Sequence, residues 1–363
     1  MDTERERWLR AGLWMVRGVS ARAIDRLGTG PDAVAAAQGE RAELARRLEL
    51  SDAAAAELAR APADLGGWAR ALASALGRRG GRFLFRGDPA YPDLGTLPDP
   101  PEVLSVRGRF RGPGTSPPVA VIGSRRVDLG ALRLARAFGA ALARAGCTVI
   151  SGGALGIDAA AHEGALEAGG HTVAVLGSGL LRPQPSGNRG LYARILEGGG
   201  ALCSELPPDA GAARWHFPRR NRLVAALASA VVVVRAGETS GCRYTVEAAR
   251  ALGRRLLVVP APGLGGRSAL GERWLEQGAT PVPDAAALLE ALGLAPQRRA
   301  APPGLEPSER QVLDALQASD AGGVPLAAVA AATGFDAGTA ARILARLCAR
   351  GLARAAGPGR FAA

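Results

Sequence analysis

Lysine is missing from the 363 residues; all 45 basic residues are arginine. A P-loop needs a Gly-Lys-Ser/Thr ending, so that nucleotide-binding device is excluded. Alanine, glycine and arginine crowd every segment, which marks a GC-rich coding bias, so the placement of arginine carries more information than its number. The four cysteines, Cys147, Cys203, Cys242 and Cys348, show no Cys-x-x-Cys or Cys/His spacing. That excludes a zinc motif or a disulfide framework and makes most of them small apolar core residues. No uninterrupted apolar run is long enough to span a bilayer, and the opening "MDTERERWLR" lacks the basic-then-apolar layout of a secretion signal. A cytoplasmic protein with no membrane partner is expected. Asparagine occurs only at 188 and 221, and residues so rare in a biased chain are expected to have specific hydrogen-bonding duties.

What is present is positive charge, +12 at neutral pH with a pI near 11.0. Clustered guanidinium groups release counterions from a phosphate backbone, so the balance favours a polyanionic partner. Residues 82 to 292 carry 24 arginines against 17 acids, whereas residues from 305 carry six against five. The central region is therefore the better nucleic-acid platform.

The chain reads as four parts. Residues 1–80 are short helices, with Ser20, Pro31 and Ser51 as start signals, and "GVSARAIDRLGTG" hints at a helix-hairpin-helix or sterile-alpha-motif-like unit. From Phe83 to Pro118 the text is rich in proline and glycine and is expected to pack along the next domain. Residues 81–292 form the core, where apolar runs ("PVAVIG", "CTVIS", "TVAVL", "ALCSE", "AVVVV", "RLLVVP" and "ATPVP") alternate with helical stretches. Strands buried on both faces and separated by helices imply a parallel, doubly wound α/β sheet that binds ligands at the carboxyl ends of its strands. A linker covers 293–304, and three helices with a glycine hairpin over 305–363 predict a winged helix.

Four loops at that sheet edge carry the chemistry. "VIGSRRVD" places Gly123, Ser124 and Arg125 between a strand and a helix, where free amides and a guanidinium can meet an anion. "ISGGALGIDAAAH" supplies Ser151, Gly152, Gly153 and Gly156, but not on the Gly-x-Gly-x-x-Gly spacing of a dinucleotide fold. Asp158 and His162 share a helix face; a metal or acid–base pair is conceivable, but no third ligand or nucleophile is spaced to join them, and a structural pair is expected. "WHFPRRNRLV" gathers Phe217, Arg219, Arg220, Asn221 and Arg222 at a helix start, with Trp215 close by, a mixture of ring and guanidinium suited to unstacked bases and their backbone. Asn188 and Arg189, and the turn at Ser240 and Gly241, complete the expected groove. No catalytic nucleophile–base pair, metal cluster or cofactor site is read from the chain. In the tail, Arg342, Arg346 and Arg350 recur every four residues as a stripe that could meet a partner or duplex.

Taken in order over residues 85–290, these motifs resemble the DNA processing protein A family, also called Smf, the single-stranded DNA-binding proteins of bacterial natural transformation. The resemblance implies an extended Rossmann-like core, a homodimer with one positive pocket per protomer, single-stranded DNA binding and delivery of the strand to the RecA recombinase. It carries the pocket onto Gly123, Ser124, Arg125, Ser151, Gly152, Gly156, Phe217, Arg219, Asn221 and Arg222. The chain departs from the family pattern at Gln184, where an aromatic is usual, at Arg235, where glutamate is common, at the turn "SGCRY", and by one extra glycine in "SGGALG". A competing reading is a nucleotide-binding enzyme or sensor akin to lysine-decarboxylase-like nucleoside monophosphate phosphoribohydrolases, because "TSGCRYTVEAA" faintly matches their glycine–glutamate motif with Glu247 as the acid. A third is a duplex-specific regulator acting through the wing.

Overall fold

The computed structural model describes residues 2–95, 97–110, 117–260, 269–294, 305–317 and 323–362. Residues 1–293 form one compact unit and residues 294–363 another. Most of the 293–304 linker and the end of "VPAPG" lie outside the described residues.

The first unit opens with six helices, α1 (Asp2–Trp14), α2 (Ala21–Asp25), α3 (Pro31–Gln38), α4 (Arg41–Arg47), α5 (Asp52–Arg60) and α6 (Leu65–Gly77). Ser20 and Ser51 cap α2 and α5 as their sequence positions suggest, each accepting a backbone N–H three residues on. Such caps contribute about 1 kcal/mol each. The sixth helix is started by Asp64, whose side chain accepts the Gly67 N–H at 2.8 Å, a start signal beyond Ser20, Pro31 and Ser51. These helices do not build a separate core: Leu13, Trp14 and Leu76 join one apolar cluster with Leu176, Leu180, Tyr192 and Leu202 of the sheet region. The boundary expected near residue 80 therefore marks a change from helices to sheet within one packed unit.

The sheet has nine strands: β1 (Gly81–Phe85), β2 (Val103–Gly108), β3 (Pro118–Gly123), β4 (Thr148–Ser151), β5 (Thr172–Val175), β6 (Ala201–Ser204), β7 (Ala230–Arg235), β8 (Arg255–Val258) and β9 (Thr280–Pro281). Their spatial order is β1-β2-β6-β5-β4-β3-β7-β8-β9. From β6 to β9 all pairings are parallel, and β3 to β7 are almost wholly buried, as continuous Val/Ile/Ala runs require. The segment expected to pack along this domain instead enters its sheet: β1 pairs antiparallel with β2, and β2 antiparallel with β6.

Seven helices flank the strands: α7 (Leu129–Arg144), α8 (Ile157–Glu167), α9 (Arg189–Glu197), α10 (His216–Ala226), α11 (Cys242–Ala251), α12 (Ala269–Glu276) and α13 (Ala285–Leu292). α7 and α8 approach closely because Gly139 and Gly164 present no side chain; a Cβ at Gly164 would stand 1.9 Å from the Arg136 carbonyl oxygen. Cys147, Cys203 and Cys242 are free and buried, as small apolar residues are expected to be.

The second unit runs α14 (Pro307–Gln317), β10 (Val324–Pro325), α15 (Leu326–Thr333), α16 (Ala337–Ala349), β11 (Arg354–Gly357) and β12 (Arg360–Ala362). β12 lies between β10 and β11, which makes the winged helix, with one short strand more than the sequence suggested. Gly334, at φ 71°, turns the chain between α15 and α16, and Asp336 caps α16.

Candidate nucleic-acid interface

The carboxyl ends of β3, β4 and β7 and the first residues of α10 and α11 enclose a cleft of about 610 Å³. Its wall holds four arginines, Arg125, Arg126, Arg214 and Arg220, against one carboxylate, Asp158. The positive dipole ends of α10 and α11 face the same space, although the first amides of α11 are already taken, that of Cys242 by Ser240 Oγ at 3.3 Å and those of Arg243 and Tyr244 by the Ser240 and Gly241 carbonyls. Every helix end elsewhere that is capped by Ser or Asp has lost that capacity, including α7, whose amide at Ala131 is taken by Asp128. The anion-binding donors expected at the start of α7 are thus reduced to Ser124 and Arg125.

Gly123 and Gly152 belong to the lining for steric reasons. A Cβ on Gly123 would meet Ile157 at 2.5 Å, and one on Gly152 would meet the Arg220 guanidinium at 2.6 Å and the Asp158 carboxylate at 2.7 Å. Arg125 is exposed and its guanidinium carbon sits 5.0 Å from the centre of the Phe217 ring, a cation–π contact that holds both at the mouth. Phe217 in turn lies over Gly177, where a Cβ would come within 2.9 Å of the ring. Trp215 (39% exposed) and Leu155 (49%) leave large apolar surface uncovered near these residues.

α10 divides its charged residues between two faces. Phe217, Arg220 and Asn221 turn to the cleft. Arg220 is buried; its Nη1 donates to the carbonyls of Gly152 and Val175, and its Nε to Asn221 Oδ1 at 3.2 Å. Asn221 then donates to the Gly241 carbonyl at 3.1 Å, so the pair ties the ends of β4 and β5 to the start of α11. Arg219 and Arg222, three apart and hence on one helix face, do not line the cleft. Arg222 bonds the buried Glu205 and donates to the Asp99 carbonyl at 2.6 Å. Arg219 lies 3.4 Å from the same carboxylate and stacks on Trp14 at 5.0 Å. Trp14 donates its indole N–H to the Glu205 carbonyl at 3.0 Å. The two arginines expected to hold phosphate instead fasten the N-terminal helices to the core.

Other expected site residues are also drawn inward. Ser151 is fully buried and donates to the Val121 carbonyl at 2.6 Å, joining β4 to β3. Gly153, at φ 66°, offers its carbonyl to Asn188 Nδ2 at 2.9 Å, with the Tyr192 hydroxyl 2.8 Å away. Asn188 therefore has a specific duty, bracing the glycine loop rather than touching a ligand. Gly156, at φ 85°, lets α8 approach the Ser124–Arg125 backbone, where a Cβ would stand 2.6 Å from the Arg125 oxygen. Arg189 lies at a different pocket. Ser240 and Gly241 do line the cleft, together with Thr239, Tyr244 and Thr245. Arg126 and Arg214 enter it with no motif to announce them beyond their adjacency to Arg125 and Trp215.

Asp158 and His162 behave as a supporting pair. Burial raises the Asp158 carboxyl, opposed by the neighbouring Arg220, and its Oδ2 accepts the Ala154 N–H at 3.2 Å. His162 is pushed down to about 3, first by burial and then by Arg220, so it is neutral. Thr172 Oγ1 gives its proton to the Val149 carbonyl, so it accepts from His162 Nδ1 at 2.7 Å. Nε2 then has no partner among the described residues. Among the described residues no group of three or more His, Cys, Asp or Glu could hold a metal ion. Glu247, the acid of the hydrolase-like alternative, is exposed on α11 and absent from the cleft wall. Arg235, where glutamate was usual, is buried and pairs with Asp128 at 2.5 Å. In the wing unit Arg346 and Arg350 lean on Glu309, at 3.9 and 2.9 Å, while Arg342 donates to Thr339 of its own helix at 3.0 Å.

An extended Rossmann-like sheet with an arginine-lined cleft at its carboxyl edge, in a chain that also carries a winged helix, defines the class of α/β protein. Residues 82–293 match the family model described as DNA recombination-mediator protein A, and residues 311–357 match that of the IclR helix-turn-helix domain. The chain belongs to the DNA recombination-mediator protein A family. A Mycobacterium tuberculosis relative carrying the DprA name is 38% identical over 302 residues, covering 78% of this chain and 75% of that protein. Protein Smf of Escherichia coli K12 is 40% identical over 202 residues, 55% of this chain and 54% of its own length. Among solved structures, DNA processing protein A from Streptococcus pneumoniae superposes with a TM-score of 0.60 at 25% identity, covering 76% of this chain and 95% of that one. The Helicobacter pylori protein, described for its single-stranded DNA binding mode, gives 0.52 at 27% identity over 58% and 95% of the two chains. Among the described residues no helix is long and apolar enough to cross a membrane.

Proposed function

We propose that this chain is a cytoplasmic, non-enzymatic single-stranded DNA-binding protein of DNA processing in natural transformation, which protects the incoming strand and, as a homodimer, loads RecA onto it. The observation that carries the reading is the wall of the cleft: the exposed guanidinium groups of Arg125, Arg126 and Arg214 and the Phe217 ring, against a single carboxylate. Phosphates meet the guanidinium groups, and an unstacked base meets the ring. Arg220 is committed to the Gly152 and Val175 carbonyls, Asp158 accepts the Ala154 N–H and His162 is held neutral on Thr172, which favours a binding wall over a reacting one. The described mode of the Helicobacter protein supports the ligand, and family membership supports the recombinase step.

The test is titration of labelled oligo-dT and of duplex with the full chain and with Arg125→Ala. Loss of a charge-assisted contact worth about 1.5–3 kcal/mol lowers affinity roughly ten- to hundredfold, with an unchanged melting temperature because Arg125 is exposed. Undiminished binding would remove the strand from this cleft. Turnover of a mononucleotide, with affinity independent of oligonucleotide length, would favour the hydrolase-like reading instead.

A further inference from the structure

A second basic pocket of about 420 Å³ opens on the same unit, lined by Arg79, Arg107, Arg182, Arg189 and Gln184 together with the apolar turn Leu180–Leu181 and Pro183. Among the described residues no carboxylate borders it. Arg79, Arg182 and Arg189 are exposed, and among the described residues no acidic side chain pairs with any of the three. Arg107 is half-buried and donates from Nε to the Arg79 carbonyl at 2.9 Å. Burial and the neighbouring Arg79 charge both depress its guanidinium below the ordinary range, as expected where like charges crowd without a counterion.

The two pockets share structural supports. Gly152 lines the cleft, and the next residue, Gly153, is braced by Asn188, whose neighbour Arg189 borders the second pocket. The Tyr192 hydroxyl lies 2.8 Å from the Gly153 carbonyl and 3.0 Å from that of Gln184, linking one lining residue to the loop of the other. The exposed Leu155 side chain, next in the chain to the cleft residue Ala154, stands beside the exposed Gly187, 3.5 Å from where a Cβ there would be, with Arg189 of the second pocket two residues on. An apolar step flanked by two arginine clusters matches a chain whose phosphates alternate with bases.

We propose that the Arg79–Arg107–Arg182–Arg189 pocket is a second phosphate-binding site, taking phosphates of the same strand beyond those held in the cleft. It rests on the reading of the cleft as the seat of single-stranded DNA. Two sources share the chemistry, a longer strand and a free polyphosphate, and the experiment separates them.

The full chain and the double variant Arg182→Ala/Arg189→Ala, whose altered side chains are exposed, are titrated with oligo-dT of about six and about twenty nucleotides, spanning the range of single-strand site sizes. Unchanged affinity for the short probe, an about tenfold loss for the long one and a salt slope lowered by about 1.4 identify strand phosphates, since each contact on a single strand contributes about 0.7. In the second arm, pyrophosphate is added in a thermal-shift measurement. Stabilisation of the wild type that the variant lacks, with strand binding unaltered, keeps the site and assigns it to free polyphosphate. If the variant matches the wild type in both arms, the proposal is wrong. Failure of the wild type to bind even the short probe would instead sink the reading of the cleft, while the pyrophosphate arm still decides the pocket.

Discussion

The two faces of α10 carry similar residues to opposite ends. On one, Phe217, Arg220 and Asn221 shape the cleft; on the other, Arg219 and Arg222 clamp Glu205 and the N-terminal helices. The difference is not in the amino acids but in what each face meets: strand ends rich in free carbonyls and small residues, or a buried carboxylate beneath Trp14. A basic motif at a helix start is thus half ligand wall and half fastening.

That comparison is open to direct attack. The largest expected effect is on the fastening face: Arg222→Ala leaves the buried Glu205 short of a partner and should cost about 3 kcal/mol in denaturant unfolding. Strand affinity of the folded fraction should be retained, and Glu205→Gln in the same chain should recover part of the loss. A drop in affinity that exceeds the unfolded fraction would place Arg222 in the cleft after all.

The second effect lies behind the cleft wall, at His162. Its folded value near 3 is below the ordinary 6.5, so the unfolded chain takes up the proton first as pH falls. Stability from this residue is complete above 6.5 and is lost between 6.5 and about 3; at pH 5 the loss is about 2 kcal/mol. Asp158 and Glu205, raised by burial, act in the opposite sense, which is why the difference between wild type and His162→Gln is the quantity to follow by melting temperature across pH. A parallel pH profile for the two proteins would show that His162 is not the buried neutral group described.

The smallest effect belongs to the cleft face. Phe217→Leu keeps apolar contact with Gly177 but removes the π face, and affinity for oligo-dT should fall by about 1 kcal/mol, roughly fivefold, through k_off. An unchanged affinity would mean that Phe217 only supports Arg125.

Much of the architecture was legible along the chain. β3 and β7 are unbroken apolar runs that only a doubly covered strand needs, and Ser20, Ser51 and Pro31 start helices by local chemistry. β1 and β2 were not legible, because proline and glycine surround them, β1 is a strand only through β2, and β2 pairs with β6 almost a hundred residues away. Likewise Gly123 and Gly152, where a close approach demands glycine, and Arg125, Phe217 and Gly241, which belong to the motifs, all line the cleft. Ser151, Asn188 and Gly153 carry the same signals but spend their polar groups inside the fold, Ser151 on the Val121 carbonyl and Asn188 on that of Gly153.

The sequence by itself therefore determined the alternation of strands and helices from β3 onward, the glycine-rich loops at the carboxyl edge and the basic character of the core, because periodicity, turn chemistry and charge are local properties. Only the tertiary structure decided which arginines remain free. A guanidinium can satisfy a phosphate, a carboxylate or a carbonyl equally well, and which of these it meets is fixed by the face on which distant elements pack.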